Sequence, residues 1–309
     1  MSISILIGYY VMSSVILGIL GFIASWIDRK LTARIQFRVG PPWYQNFVDF
    51  IKLTAKEVYI PENGNKFIFV IAPVLSLIGV TLCGTILFLV LNKNFGFQGD
   101  LILFVYLLTL PSLAIILGGS SSGNILASVG VSRELKLLLG YELPFICAII
   151  IPAVKSGSTT SLVEILKYQQ TNSLTIFSIS GIIGFIISIF ALVGKLGFVP
   201  FDLAEAEGEI SSGAFIEYSG ILLGLFKLSK SILLIVGPLF VIILYLGGIS
   251  FCSIGKVING ILKYLLILVL IILIKNTNPR LRIDQAMRFY WFWLTAFGIL
   301  AIGLAFMGV

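Results

Sequence analysis

The stretch ISILIGYYVMSSVILGILGFIASWI, residues 3–27, contains no charged side chain. About 20 apolar residues in a helix are enough to cross the hydrocarbon core of a bilayer, so this run predicts a transmembrane helix. It lacks the basic segment that begins a secretory signal peptide, and it is longer than the apolar part of one. We therefore interpret residues 3–27 as the first membrane span.

The rest of the chain is similarly apolar. Of its 309 residues, 58% are hydrophobic and 11% are charged, whereas about 25% are charged in soluble domains. Hydropathy predicts about eight spans, near residues 3–27, 67–91, 101–118, 136–153, 174–196, 217–248, 258–275 and 286–307. The 217–248 segment exceeds the length of one perpendicular helix, so we expect its first third to tilt or to lie near the membrane surface.

No internal repeat divides the sequence, in contrast to the inverted halves of many transporters. We therefore predict an all-α integral membrane protein with one membrane domain, residues 1–309. Within it, residues 28–66 are expected to form the first cytoplasmic loop, and residues 198–217 an acidic cytoplasmic loop.

The distribution of Lys and Arg predicts which side is cytoplasmic. The loops after spans 1, 3 and 7 contain thirteen of them: Arg29, Lys30, Arg34, Arg38, Lys52, Lys56, Lys66, Arg133, Lys136, Lys275, Arg280, Arg282 and Arg288. The opposite loops contain five: Lys93, Lys155, Lys167, Lys256 and Lys263. Because basic loops remain in the cytoplasm, we expect a multi-pass plasma-membrane protein with both termini outside. The net charge of +7 then reflects topology, and no nucleic-acid partner is expected.

The first cytoplasmic loop contains an amphipathic pattern between Trp43 and Val58. Its apolar residues Trp43, Phe47, Ile51 and Ala55 recur at every fourth position. This spacing predicts a helix that lies in the membrane interface, entered through the Gly-Pro-Pro sequence at residues 40–42. The helix would serve either as a membrane anchor or as a docking surface for a partner protein.

The acidic loop has a concentration of carboxylates with no basic residue among them: Asp202, Glu205, Glu207, Glu209 and Glu217. On a helix, the first, second and fourth of these acids would share one face. Each like-charge pair would then cost roughly 2–3 kcal/mol at an effective dielectric of about 20, so some acids would be protonated near neutral pH. The alternative is a solvated acidic loop without function. The apolar residues around the acids, such as Phe201 and Ile210, favour the first interpretation.

Three further charges lie within apolar segments. Glu142 falls inside the fourth span, in the sequence GYELP, and Lys227 and Lys230 fall inside the sixth. Ionisable residues within a membrane indicate an ion or proton pathway unless they hold helices together as a buried Glu–Lys pair. Both interpretations remain open at this point. Asp100, at the start of the third span, is expected to be a helix N-cap.

Cysteine and histidine limit the chemistry that this chain supports by itself. The chain has no histidine, and Cys83, Cys147 and Cys252 are scattered singly through apolar segments. This pattern excludes histidine-ligated haem and argues against a zinc site, an iron–sulfur cluster or a disulfide framework. We therefore expect no bound cofactor, no metal and no catalytic residue in the chain. A conduit for protons or sodium ions fits the residues that remain, because carboxylates suit both.

Four segments resemble, in order, those of a known family. They are DRKLTARIQFRVGP (residues 28–41), SRELKLLLGYE (132–142), PFDLAEAEGEISSGAFIEYSG (200–220) and PRLRIDQAMRFYW (279–291). Together they resemble the proximal membrane subunit of complex I, the NADH dehydrogenase subunit 1 family, over residues 20–307. The first segment departs from the family pattern because Asp28 stands where the family usually has Glu.

The sequence RVGPPWYQ, residues 38–45, lacks the longer loop that helps to shape the quinone chamber in quinone-reducing members. It resembles the homologous subunit of group 4 membrane-bound NiFe hydrogenases and their archaeal relatives. The resemblance implies a non-catalytic membrane-anchoring and coupling subunit of a ferredoxin-driven hydrogenase complex. The alternatives are the same subunit in a quinone- or phenazine-linked dehydrogenase or in a sulfane sulfur reductase, or, from a different class, a stand-alone ion transporter.

The resemblance also implies partners and residue roles. The partners would be membrane lipid, the peripheral hydrogenase or dehydrogenase subunits with their small iron–sulfur subunit, and antiporter-like membrane subunits. Iron–sulfur clusters and a NiFe centre would lie in those partners. The proton or ion pathway would use Glu142, Asp202, Glu205, Glu207, Glu209, Glu217, Lys227 and Lys230. Contact with the peripheral arm would involve Arg29, Arg34, Arg38, Pro41 and Trp43.

Overall fold

The computed structural model describes residues 3–93, 95–205, 207–251 and 253–308, and every regular element in them is helical. The helices are α1 (Ile3–Ile35), α2 (Gln45–Ala55), α3 (Lys66–Lys93), α4 (Asp100–Ser121), α5 (Ile125–Lys155), α6 (Leu162–Thr171), α7 (Ile179–Lys195), α8 (Glu207–Ile210), α9 (Gly220–Tyr245), α10 (Ile254–Thr277), α11 (Ile283–Arg288) and α12 (Thr295–Phe306). A π-helical segment, Phe289–Leu294, joins α11 to α12. The predicted fold class is confirmed.

The predicted spans correspond to helices of the expected length and composition. Seven helices in the described part of the chain are long and apolar enough to cross a membrane, with α11 and α12 counted as one, and α7 is a shorter apolar helix. α7 begins at residue 179 rather than at the predicted 174, because the Ser178 side chain accepts a hydrogen bond from Gly181 N and caps the helix.

The sixth span is shorter than predicted. α9 runs from Gly220 to Tyr245, a length of about 39 Å for its 26 residues. Gly247 and Gly248 follow with φ values of 74° and 67°, a left-handed conformation that ends the helix. About half of the excess length over the ~30 Å hydrocarbon core, which suggested a tilted first third, is therefore absent.

α9 forms the centre of the bundle. Its side chains from Ile232 to Tyr245 are almost all buried, and Phe240 stacks on Phe104 of α4 with 4.1 Å between ring centroids. α1 approaches it closely at Gly21, where a Cβ atom would lie 3.0 Å from the backbone carbonyl of Ser231. Small residues allow such close packing between membrane helices.

Hydropathy missed α6, Leu162–Thr171, because its ten residues are too few for a span. The side-chain amide of Gln169 on this helix donates to the carbonyls of Ile243 and Leu244, at 3.0 and 2.9 Å. These bonds satisfy acceptors at the carboxyl end of α9 that have no partner inside the helix. α6 therefore closes the end of the bundle opposite to the acidic loop.

The amphipathic helix is confirmed as α2, but the face that it packs inward differs from the predicted stripe. The Asn46 amide donates to the Phe22 carbonyl of α1 at 2.9 Å, and Phe50 packs on the Phe22 ring at 5.5 Å between centroids. Trp43 and Ile51 of the stripe are each 63% exposed. Phe47 of the stripe also packs on the Phe22 ring, at 4.9 Å between centroids, so only Trp43, Ile51 and Ala55 are left available to lipid or to a partner.

We expect spin labels on α2 to report this arrangement. A label at Ile51 should be accessible to a lipid-soluble relaxation agent, because that side chain is exposed. A label at Leu53 should be protected, since this residue packs near Gly224 of α9. Continuous-wave relaxation measurements in proteoliposomes would detect the difference. Equal accessibility at the two positions would contradict the packing described here.

Candidate functional site

The acidic loop between α7 and α9 is folded, but mostly not as a helix. Residues 202–205 have irregular backbone, and α8 contains only residues 207–210. Ser211, Ser212 and Gly213 follow with positive φ values, which end that short helix. Phe201 is buried and packs on the Tyr290 ring at 4.6 Å between centroids. The loop is thus held against the bundle by an apolar anchor.

The prediction that Asp202, Glu205 and Glu209 would share one helix face is therefore wrong. Irregular backbone separates the three, so the i,i+3 and i,i+4 spacing does not place their carboxylates in a row. Instead, bases and amides from other parts of the chain approach the acids singly. The repulsion predicted among the acids is replaced by local pairing.

Three of these pairings involve distant parts of the chain. Glu205 forms an ion pair with Lys230 of α9. Glu209 forms one with Arg133 of α5, at 2.5 Å between Oε2 and Nη1. Glu217 accepts a hydrogen bond from the Asn124 side-chain amide at 2.6 Å. The backbone carbonyl of Asp202 accepts from Arg280, while the side chain of Glu207 lies outside the described part of the chain.

The pairing of Glu209 sets its protonation. The hydrogen bond and the charge of Arg133 hold the pKa of Glu209 below its ordinary value of 4.5. This carboxyl group is therefore ionised at neutral pH, contrary to the shared-proton state expected for a helical acid cluster. Because the pKa is lowered in the folded protein, the ion pair stabilises the fold above pH 4.5, and this contribution disappears as the pH falls through the lowered pKa.

Replacement of Arg133 by Gln should raise the pKa of Glu209 towards 4.5. Infrared difference spectra of the carboxyl bands against pH, with Glu209→Gln used to assign the band, would measure the shift. The matched control is Lys136→Gln, a change of a neighbouring base on α5 that forms no ion pair in the described residues. A Glu209 band that titrates identically with and without Arg133 would contradict the pairing.

A second ion pair lies inside the bundle between α5 and α7. Lys195 Nζ lies 2.6 Å from Glu142 Oε2, and the Lys195 side chain is only 1% exposed. The same ammonium group lies 4.8 Å from the ring centroids of both Tyr141 and Phe145, within the range of cation–π attraction. The buried Glu–Lys pair considered from the sequence is thus present, and its base is Lys195 rather than Lys227 or Lys230.

A small cavity lies between the two ion pairs. Its volume is about 20 Å³, which is enough for one water molecule. The polar side chains that line it are Glu134, Lys195, Asp202, Glu205 and Lys230. Charged groups from α5, α7, α9 and the acidic loop therefore meet at one point inside the protein.

Sequence reasoning missed Glu134 and Lys195. The predicted fourth span began at residue 136, so Glu134 was counted with a loop, whereas α5 begins at Ile125 and buries Glu134 to 7% exposure. Lys195 lies near the end of the span predicted at residues 174–196 but was not singled out with the other charges in apolar segments. The signal that could have identified Glu134 is its position eight residues before Glu142, which places both on similar sides of one helix.

The end of α1 and the connection that follows it place the predicted contact residues at the surface. Arg34 and Arg38 are exposed, Arg29 forms an ion pair with Asp49 at 3.1 Å, and the Pro41 carbonyl accepts from the Trp26 indole at 3.1 Å. Beside them, Phe37 is fully exposed. An uncovered surface that combines cations with large apolar side chains is suited to binding another protein.

Lys227 lies between this loop and the acidic loop. It is exposed, and it lines two cavities: one of about 350 Å³ shared with Arg29 and Asp49, and one of about 310 Å³ shared with Glu205. The Lys227 side chain thus lies at the surface between the two loops. It does not belong to the charges around the small cavity.

Comparison with known proteins places the chain in a family. Residues 7–306 match the family model described as NADH dehydrogenase. The chain belongs to this family. An NADH-quinone oxidoreductase subunit of Thermomicrobium roseum is 34% identical over 98% of this chain and 94% of the relative. The corresponding subunit of Dehalococcoides mccartyi is 33% identical over 90% of this chain and 78% of the relative.

A solved structure of a similar chain extends the comparison. A chain of the membrane-bound sulfane sulfur reductase, an archaeal respiratory membrane complex, matches with a TM-score of 0.87 and 30% identity, over 96% of this chain and 98% of that chain. The resemblance inferred from the four motifs is confirmed. This protein is a membrane-embedded subunit of a complex I-like respiratory complex and functions with other subunits.

Within this family member, the structure brings together some of the predicted pathway residues and separates others. Asp202, Glu205 and Lys230 line the water-sized cavity, and Glu142 is connected to it through Lys195. Glu209, Glu217 and Lys227 lie apart from the cavity. Family membership does not by itself assign a role to any of these residues.

Proposed function

We propose that this subunit couples electron transfer in a peripheral arm to the translocation of protons or sodium ions, within a ferredoxin-driven complex of the membrane-bound hydrogenase type. The observation that carries the proposal is a set of charges around one cavity, which we name the charge row: Glu205 with Lys230, then Glu134 across the cavity, then Lys195 with Glu142.

The charge row can transmit a change of charge because it leads from the half-buried pair of Glu205 and Lys230 to Glu134 and Lys195, which are shielded from solvent. Interactions between charges are several times stronger in a protein interior than in water. Protonation of Glu205 would leave the charge of Lys230 uncompensated, and Glu134 across the cavity would experience that change next. Coupled groups of this kind titrate as a unit rather than singly. The acidic loop would thus communicate with Glu142 inside the membrane without a large movement of the backbone.

The connection between α1 and α2 supports a complex that does not use quinone. It has nine residues, 36–44, and it folds back on α1 through the bond from Trp26 to the Pro41 carbonyl and a bond from Lys30 to the Gly40 carbonyl at 3.4 Å. So short and tethered a segment has little chain with which to shape a quinone chamber. The resemblance of RVGPPWYQ to the hydrogenase branch supports the same conclusion.

A second candidate is the corresponding subunit of a sulfane sulfur reductase. The similarity of the solved reductase chain, which extends over nearly the full length of both proteins, favours it. The two candidates share the membrane subunit and differ in the enzyme on the arm. In both, the small iron–sulfur subunit would rest on the first cytoplasmic loop, at Arg29, Arg34, Arg38, Pro41 and Trp43, and antiporter-like subunits would lie beside the bundle. Iron–sulfur clusters would belong to those partners in both candidates, and a NiFe centre only in the hydrogenase.

The complex purified from its native membrane would test the proposal. Reduced ferredoxin should drive hydrogen evolution and form an ion gradient in sealed vesicles. Sulfide release from polysulfide would identify the second candidate instead, and quinone reduction would contradict the quinone-independent proposal. Ion transport by the isolated chain, without the other subunits, would favour a stand-alone transporter.

A further inference from the structure

Two cavities meet at the end of the bundle opposite to the acidic loop. The first, of about 470 Å³, lies where α9 ends and α10 begins, and its polar lining residues are Asn92, Gln170, Ser250, Lys256, Asn259 and Lys263. We name it the lysine chamber. The second, of about 490 Å³, is an apolar groove between α1, α3, α9 and α10. Leu91, Ile249 and Phe251 line both, so the chamber opens directly into the groove.

The lysine chamber is positively charged. Lys256 and Lys263 are two turns apart on α10 and thus lie on one face of it. Within the described residues, no Asp or Glu lines either cavity, and neither lysine forms an ion pair. Lys263 donates to the Leu246 carbonyl at 2.5 Å, whereas Lys256 is exposed. The chamber is therefore suited to an anionic group.

The groove, in contrast, is lined by apolar atoms. The two lining residues with hydroxyl groups turn them to backbone carbonyls: Ser13 donates to Tyr10 at 3.0 Å, and Tyr264 to Leu234 at 3.4 Å. Along α1 the groove extends from Ser13 to Ile27, a distance of roughly 21 Å at 1.5 Å per residue. This length exceeds half of the ~30 Å hydrocarbon core, which is the depth of one leaflet.

We propose that the chamber and the groove together form a binding site for one anionic phospholipid of the leaflet opposite to the acidic loop. The head-group phosphate would lie near Lys256 and Lys263, with Asn259 as a further donor, and one hydrocarbon chain would lie in the groove along α1. A single molecule of this class combines the anion and the long apolar chain that the two connected cavities require. An apolar helix of a partner subunit would fill the groove but leave both lysines without a counter-charge.

Native mass spectrometry of the purified complex, delipidated and then incubated with defined lipids, would test the site. The probes are phosphatidylglycerol and phosphatidylcholine with identical chains, and inorganic phosphate. Wild type should retain phosphatidylglycerol preferentially. Lys256→Gln should lower this preference about fivefold, the effect of one basic residue near an anionic head group. Leu20→Trp should reduce retention of both lipids, because the indole would occupy the groove that Leu20 lines.

The matched controls change residues that line neither cavity. They are Lys167→Gln, an exposed base on α6, and Leu262→Trp, an exposed apolar residue on α10; both should behave as wild type. Equal retention of the two lipids by wild type would overturn the proposal. Displacement of the bound lipid signal by phosphate alone, with no effect of Leu20→Trp, would indicate a free-anion site instead. A photocrosslink from position 20 to another subunit rather than to lipid would also overturn it.

Discussion

Replacement of Lys195 by Met should abolish ion translocation by the assembled complex and reduce the amount of complex that assembles. Lys195 is the most deeply buried base of the charge row, and its loss would leave the Glu142 carboxylate without its counter-charge. Removal of one partner of a buried ion pair costs about 3–5 kcal/mol. The measurement is the ion gradient formed in vesicles, normalised to the subunit content determined by quantitative mass spectrometry.

A double variant separates the effect of Lys195 on assembly from its effect on translocation. The double variant Lys195→Met with Glu142→Gln no longer has an uncompensated charge. Most of the complex should therefore assemble again, while translocation stays absent. Glu142→Gln alone should also assemble well and translocate poorly, because the amide is isosteric but carries no titratable proton. Lys167→Met, an exposed change on α6, is the control. Recovery of both assembly and translocation in the double variant would show that the pair only holds α5 and α7 together.

The sequence predicted the helices well because their signal is local. A run of apolar residues such as 3–27 must form a helix in a membrane, where each backbone polar group needs a partner within the same segment. The amphipathic spacing from Trp43 to Ala55 is equally local, and it correctly predicted α2. The face that α2 buries was not predictable, because that depends on Phe22 and Gly224 of other helices.

The charge row was only partly predictable because its pairings are long-range. Glu205 and Lys230 are 25 positions apart in the sequence, and Glu142 and Lys195 are 53 apart. Composition identified Glu142 and Lys230 as costly charges in apolar segments, but it could not show which base faces which acid. The acidic loop was interpreted as a helix because nothing in its sequence indicated irregular backbone. In the structure, the positive φ values at residues 211–213 limit its helix to four residues.

Glu134→Gln should reduce translocation on the order of 100-fold, the usual contribution of one positioned proton-transfer group, while assembly stays near wild type. Glu134 is the cavity acid that α5 contributes, and it lies between the ion pairs of Glu205 with Lys230 and of Glu142 with Lys195. Glutamine matches glutamate in size, so the packing of α5 and the polarity of the cavity are kept. Only the ability to change charge is removed.

Glu164→Gln, an exposed acid on α6, serves as the control and should leave the gradient unchanged. Electron transfer should be measured alongside the gradient in each variant. If the charge row couples the two processes, Glu134→Gln will slow ferredoxin oxidation in sealed vesicles, or else permit it without forming a gradient. A normal gradient in this variant would mean that ions cross the subunit by a route that does not need Glu134, and the charge row would not be the coupling element.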